Sequence, residues 1–206
     1  MKLYYTKHTC ALAVRIVINE LALPCHYVAV DLRTKKTESD QDFLSINPKG
    51  SVPVLQLDDS IILTENAVIL QYLADSNHDA TYLLPPVTDF ERYRVLEWLN
   101  YITTELHKAV GLFFTSLSNE VKQQFAMPFL KKRLDFIEKH LTRHKSLCAS
   151  PFTLPDPYLF IMGSMLPKIG LTLADWPHLQ AHLQCLSARP AIVKSMAEEG
   201  LVLDLG

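Results

Sequence analysis

The first stretch that could do chemistry is "YYTKHTCALAVRI", residues 4–16. A single cysteine, Cys10, stands between the cationic-capable pair Lys7 and His8 and a run of small and branched apolar residues. A thiol at a helix mouth is drawn toward the thiolate by the helix dipole, and a nearby cation acts the same way. Cys10 is therefore a candidate reactive or hydrogen-bonding thiol. The plain alternative is a small hydrophobe in a core, since free cysteine is among the most buried residue types. Cys25, Cys148 and Cys185 are read that second way. No C-x-x-C pair is present, and the spacing suggests neither a zinc site nor a disulfide framework.

Other candidates lie further on. Glu65 and Asn66 follow Thr64, a plausible N-cap, and a helix start favours an acid in the chain or a bound anion. Ser51-Val52-Pro53 introduces a strand, where a proline is tolerated at the first position. Lys35 and Lys36 make a basic loop. Asn100, Thr104 and His107 fall at i, i+4 and i+7, one stripe of a helix. Glu105 sits about 140° round from Asn100. His140/His144 and His178/His182 have a spacing that can bind metal, but two histidines do not complete a site, so no metal is expected.

The elements that must position these residues follow from periodicity. Residues 2–5 read as a strand. Residues 11–23 read as a helix apolar on most sides, with Arg15 and Asn19 as its polar stripe, hence mostly buried. Residues 26–30 read as a second strand, and 52–57 and 61–63 as a hairpin turning at Asp58-Asp59. A helix over 65–75 has Val68, Ile69, Tyr72 and Leu73 as its apolar face. The order β-α-β, polar loop, β-β-α predicts a mixed sheet with helices against it. Residues 76–87 contain Pro85-Pro86 and read as a linker. Beyond it the chain reads as all helical. A capping box at Thr88–Glu91 opens a helix to about Thr115. A second helical region covers 120–143, with Pro128 expected to delay or kink it. A box at Thr153/Asp156 opens a third, whose Pro157 removes a helical hydrogen bond. Shorter helices are expected at 177–188 and 191–199. The predicted domains are 1–80 and 88–206.

Composition narrows the class without naming a reaction. The chain has 206 residues, 49% apolar and 20% charged, with a net charge of −2. That balance is ordinary for a globular protein and lacks the basic footprint of a nucleic-acid binder. No apolar run approaches the ~18 residues of a membrane span, and the start lacks the apolar core of a signal peptide. A few unpaired cysteines suit a reducing cytoplasm.

Three segments carry more: "MKLYYTKHTCALAVRI" at the start, "NPKGSVPVLQLDDSIILTENAVILQYLAD" at 47–75, and "LLPPVTDFERYRVLEWLNYITTELHK" at 83–108. Together they resemble a glutathione transferase of the bacterial beta class, which carries a cysteine where other classes use tyrosine or serine. The loop "VDLRTKKT", residues 30–37, is similar to the beta-class loop after the second strand. The resemblance implies a thioredoxin-like N-terminal domain of order β-α-β-α-β-β-α and an all-helical C-terminal domain forming the second-substrate pocket. It also implies a homodimer, and a glutathione site in the cleft between domains.

Site roles follow from the same resemblance. A cis Pro53 presents the Val52 main chain to an extended tripeptide, recognition by strand addition. Glu65 meets the ammonium, and Asn66 with the helix start meets the γ-glutamyl carboxylate. Lys35 meets the glycyl carboxylate as a point charge. His107 stands near the Cys10 sulfur, and Asn100, Thr104 and Glu105 serve the glutathione site, partly that of the neighbouring subunit. The implied activity is cytoplasmic conjugation of glutathione, as co-substrate and with no cofactor, to small hydrophobic electrophiles in detoxification. Phe113, Phe114 and Tyr158 are candidates for the electrophile wall. Alternatives are a glutathione-dependent thiol–disulfide oxidoreductase or peroxidase using Cys10, and a non-catalytic ligand carrier or regulatory protein. The sequence departs from the family at Asn66, usually serine or glycine, and at His8 and Thr9, where glycine and alanine often precede the cysteine.

Overall fold

The computed structural model describes residues 1–58 and 60–202. They form two compact units, 1–81 with 190–202, and 82–189.

In the first unit the chain runs β1 (Lys2–Tyr5), α1 (Ala11–Glu20), β2 (His26–Asp31), β3 (Lys36–Thr37), β4 (Val54–Gln56), β5 (Ile62–Thr64) and α2 (Asn66–Asp75). The sheet order is β3-β2-β1-β4-β5. β1 pairs parallel with β2 (Lys2 opposite His26) and antiparallel with β4 (Lys2 opposite Gln56). The β4–β5 pair is antiparallel, as the hairpin pattern predicts; Asp59 of its turn lies outside the described residues. Between β2 and β4 the middle helical position of a thioredoxin-like order holds a single 3-10 turn, Phe43–Ser45, whose entry Asp42 caps by accepting from the Leu44 amide. Phe43 joins Tyr4, Val28, Val30 and Val54 in one core cluster.

Helix α1 buries every residue from Ala11 to Ile18, Arg15 included. Its polar stripe therefore faces protein. On α2 the buried stripe is Asn66, Ile69, Leu70, Leu73 and Ala74, while Val68 and Tyr72 are exposed. The expected face is thus displaced by one residue step, because Leu70 and Ala74 turn inward in place of Val68 and Tyr72.

The predicted linker is partly structured: His78–Ala80 form a 3-10 turn, and Leu83 and Leu84 are buried. The helical unit begins with α3 (Glu91–Tyr101). Its first turn is capped by Asp89, whose carboxylate accepts from the Glu91 amide at 2.9 Å, so the cap lies one residue later than Thr88. A π turn, Ile102–Leu106, leads into α4 (His107–Gly111). Next come α5 (Asn119–Val121), a second π turn at Lys122–Ala126, and α6 (Met127–Leu141). Pro128 cannot donate to a carbonyl one turn back, and the widened turn falls just where that bond is missing. α7 (Pro155–Ser164) and α8 (Pro177–Ser187) complete this unit. The Thr153 amide and hydroxyl both donate to Asp156, at 2.7 and 2.9 Å, so the carboxylate half of the expected box carries the cap.

The last helix, α9 (Pro190–Glu199), packs on α1 and so belongs with the first unit. A division at 80 and 88 does not anticipate this. The reason is the polar stripe of α1: Arg15 bonds Glu198 and Glu199, and Asn19 bonds Ser195.

Candidate active site

The turn from β1 into α1 is built by hydroxyls. Thr6 Oγ1 donates to the Val30 carbonyl at 2.6 Å, and Thr9 Oγ1 donates to the Thr6 carbonyl at 2.7 Å. His8 between them has φ of 61°, a left-handed conformation uncommon for a non-glycine residue. Cys10 then caps α1, its carbonyl accepting from the Ala13 amide at 3.1 Å.

Cys10 is 8% exposed, and its thiol lies 3.7 Å from the Val52 carbonyl, to which it can donate. Asn66 Nδ2 donates to the Cys10 carbonyl at 2.6 Å. Burial pushes the thiol up to about 11; the Asn66 side chain and the local backbone pull it down, and the Glu65 charge raises it. This direction is opposite to the one a helix mouth alone favours. Desolvation of a nearly closed sulfur outweighs the hydrogen-bond contributions.

Val52–Pro53 is cis, as the resemblance implies. The approach to it is held by Asn47, 2% exposed, whose Nδ2 donates to the Ser51 carbonyl at 2.8 Å. Gly50 has φ of 62°, and a Cβ there would meet Leu44 at 3.1 Å, which explains glycine at this turn. Lys35 Nζ donates to the Gly50 carbonyl at 2.8 Å, so this lysine is tied to the same turn.

At the start of α2, Glu65 has φ 70° and ψ 116° and makes no side-chain cap. Its carboxylate pairs with Lys49 at 2.6 Å, and Lys49 also donates to Thr64 Oγ1 at 2.8 Å. Both members are more than half exposed, so this pair is worth ~0–1 kcal/mol and is easily exchanged. Asn66 is buried, and its Oδ1 has no hydrogen-bond partner among the described residues. Cys10, Val52, Pro53, Lys35, Glu65 and Asn66 are thus linked within one unit through side-chain and main-chain bonds.

In the helical unit, Asn100 and Thr104 are exposed, and Thr104 Oγ1 donates back to the Asn100 carbonyl at 3.0 Å. Glu105 is committed to Arg133, with bonds of 2.7 and 3.1 Å. His107 Nδ1 pairs with the Tyr158 hydroxyl at 2.5 Å. Tyr158 is 1% exposed, so it serves the imidazole and is no open wall. Burial, aided by the Lys108 charge, holds the His107 imidazole below its ordinary value. The π turn at 102–106 breaks the regular i, i+4, i+7 stripe assumed for these residues. The histidines of the two i, i+4 pairs have structural partners: His140 stacks on His144 at 4.4 Å, His178 bonds Glu138 at 2.6 Å, and His182 bonds the buried Asp156 at 2.9 Å. Among the described residues no group of three metal-capable side chains converges.

Sequence reasoning did not single out Asn47 or Lys49, although both sit in the quoted "NPKG" motif. It also missed Glu199, which carries no local signal.

The first unit thus brings a cis-proline strand start against a thiol at the mouth of its first helix. Residues 9–76 match the family model for the glutathione S-transferase N-terminal domain, and 101–190 match that for the C-terminal domain. The chain is 38% identical over 201 residues to glutathione S-transferase GstA of Escherichia coli O157:H7, covering 98% of this chain and 100% of that protein. A bacterial beta-class glutathione S-transferase from Sphingomonas chungbukensis superposes with a TM-score of 0.93 at 37% identity, over 98% of this chain and 100% of that one. A sphingomonad glutathione S-transferase complexed with glutathione gives a TM-score of 0.92 at 36% identity, over the same shares. The chain belongs to the glutathione S-transferase family and resembles its bacterial beta class.

Proposed function

We propose that this protein joins the sulfur of reduced glutathione to small hydrophobic electrophiles, with Cys10 acting as a protonated hydrogen-bond donor to that sulfur. The observation that carries this role is the closed environment of the Cys10 thiol, pushed up to about 11. At neutral pH such a group stays S–H. It can donate to a thiolate substrate and thereby favour the ionised form of glutathione. The sulfur then bonds to carbon; with a chlorinated nitroarene, chloride leaves with the bonding pair and the glutathione proton goes to water.

The same closed thiol disfavours the oxidoreductase reading, because thiol–disulfide exchange is carried by the thiolate.

For the tripeptide, we assign the Val52 main chain to the cysteinyl unit and the start of α2 with Asn66 to the γ-glutamyl carboxylate. Glu65 takes the ammonium by releasing Lys49, exchanging one cation for another. Lys35 takes the glycyl carboxylate in place of the Gly50 carbonyl. Asn100, Thr104, Glu105 and His107 enter on the family resemblance alone, with Phe113 and Phe114 as candidate electrophile contacts. A homodimer is proposed from that resemblance and from exposed Phe90, Tyr93 and Phe136. A cytoplasmic setting is supported by free cysteines throughout the described residues. No described helix is long and apolar enough to cross a membrane.

The test is retention on immobilised glutathione followed by conjugation of a chlorinated nitroarene by the eluted protein. Retention with turnover supports the proposal. Retention without turnover favours a carrier, and failure to bind contradicts the glutathione assignment.

A further inference from the structure

The C-terminal helix supplies a buried carboxylate to the turn that presents Cys10. Glu199 is 2% exposed. Its Oε2 accepts from the His8 amide at 2.9 Å, and its Oε1 accepts from Arg15 Nε at 3.2 Å. Arg15 is itself buried, with its guanidinium 3.8 Å from the Tyr27 ring centroid and 4.4 Å from that of Tyr5. These rings belong to β2 and β1, so the arginine is fixed from the sheet side. Glu198 supplies a second, partly exposed pair to Arg15 Nη1 at 3.1 Å and accepts from Asn19 at 3.0 Å. All of these groups belong to the first unit.

Two features show that Glu199 does more than join α9 to α1. First, Glu198 already makes that link with a partly exposed carboxylate, which needs less desolvation than the fully buried side chain of Glu199. Burying a carboxylate is costly unless every contact is good, yet Glu199 spends one of its oxygens on a backbone amide outside α1. Second, that amide belongs to His8, whose φ of 61° is strained for a non-glycine residue and persists only when its surroundings over-determine it. His8 lies two residues before Cys10. Burial raises the Glu199 carboxyl, and the His8 amide and Arg15 draw it back toward the ionised form.

We propose that Glu199 is a positioning residue of the transfer reaction: by holding the His8 amide it sets the turn that keeps the Cys10 thiol closed and aimed. The proposal rests on the assignment of Cys10 as the group that meets the glutathione sulfur. It makes the end of the chain part of the thiol's support.

The test compares Glu199→Ala and Glu199→Asp with Glu198→Ala. The aspartate keeps a charge beside Arg15 but falls short of the His8 amide, which guards against simple loss of the fold. Two readouts are taken on folded protein: kcat and KM for glutathione in conjugation, and alkylation of each cysteine by iodoacetamide at neutral pH, followed by peptide mass spectrometry. Both Glu199 variants are expected to lower kcat several-fold, up to about tenfold, with little change in KM, because they act through the Cys10 thiol and cost no more than its loss. Both are expected to speed alkylation of Cys10 selectively, leaving Cys25, Cys148 and Cys185 as in the wild type. Glu198→Ala is expected to leave both readouts near wild type. Unchanged kcat and Cys10 alkylation in the Glu199 variants would overturn the proposal, as would equal acceleration at all four cysteines. Absence of wild-type conjugation would refute the transferase assignment separately, because the alkylation readout needs no glutathione.

Discussion

Challenging the folded protein with iodoacetamide across a pH series reads the state of Cys10 directly. The thiol is pushed up from 9.0 to about 11 by its burial. At pH 7 the thiolate fraction is then about 1 in 10,000, against about 1 in 100 for the same cysteine at its ordinary value. A thiolate of higher pKa is intrinsically more nucleophilic, with a Brønsted slope of ~0.4–0.5, which returns a factor of roughly 6–10. The net expectation is alkylation about tenfold or more slower in the folded protein than in the denatured chain. Limited access to a residue only 8% exposed slows it further. The rate should keep climbing roughly tenfold per pH unit beyond 9, where the denatured reference levels off. Peptide mass spectrometry separates Cys10 from the other three cysteines. Native Cys10 reacting at pH 7 as fast as the denatured reference, or a profile levelling off below 9, would refute the reasoning that burial dominates this thiol.

Two further predictions concern the helical unit. Burial and Lys108 hold the His107 imidazole below its ordinary 6.5. The folded protein therefore binds fewer protons there than the unfolded chain, and this stability contribution declines as pH falls from about 6.5 toward the folded value. Melting of wild type and His107→Gln at about pH 7.5 and 5.5 should show the larger acid loss in wild type; equal losses would contradict it. Asp156 is fully buried and accepts from the Thr153 amide, the Thr153 hydroxyl and His182. Asp156→Ala orphans these partners and should cost about 3–5 kcal/mol in denaturant unfolding, whereas a loss under about 1 kcal/mol would show that the network is not fully formed.

What could be read from sequence follows the range of each interaction. β1, α1, the β4–β5 pair and α2 announce themselves by short-range pattern, and the family resemblance supplied the cis bond before Pro53. Arg15 and Asn19 were legible as a polar stripe, but their partners are 184 and 176 residues away, so nothing local showed that the stripe faces α9. The same distance hid Glu199. The position of Cys10 at a helix mouth was legible, whereas its ionisation was not. Burial is set by the tertiary fold, in which Val52 and Asn66 meet Cys10 from other elements, and it raises a thiol that the dipole alone would lower. Lys49 carries no signal of its own beside a glycine turn, and only the fold brings Glu65 to it.

The most direct test of the central claim is kcat/KM for conjugation of glutathione to a chlorinated nitroarene, measured for wild type and Cys10→Ala. A hydrogen bond to a charged group is worth about 1.5–3 kcal/mol, and a thiol, as a weak donor, lies at the low end. The account predicts that Cys10→Ala loses about tenfold in kcat/KM. Full activity in Cys10→Ala would show that this thiol does not hold the glutathione sulfur and would contradict the account.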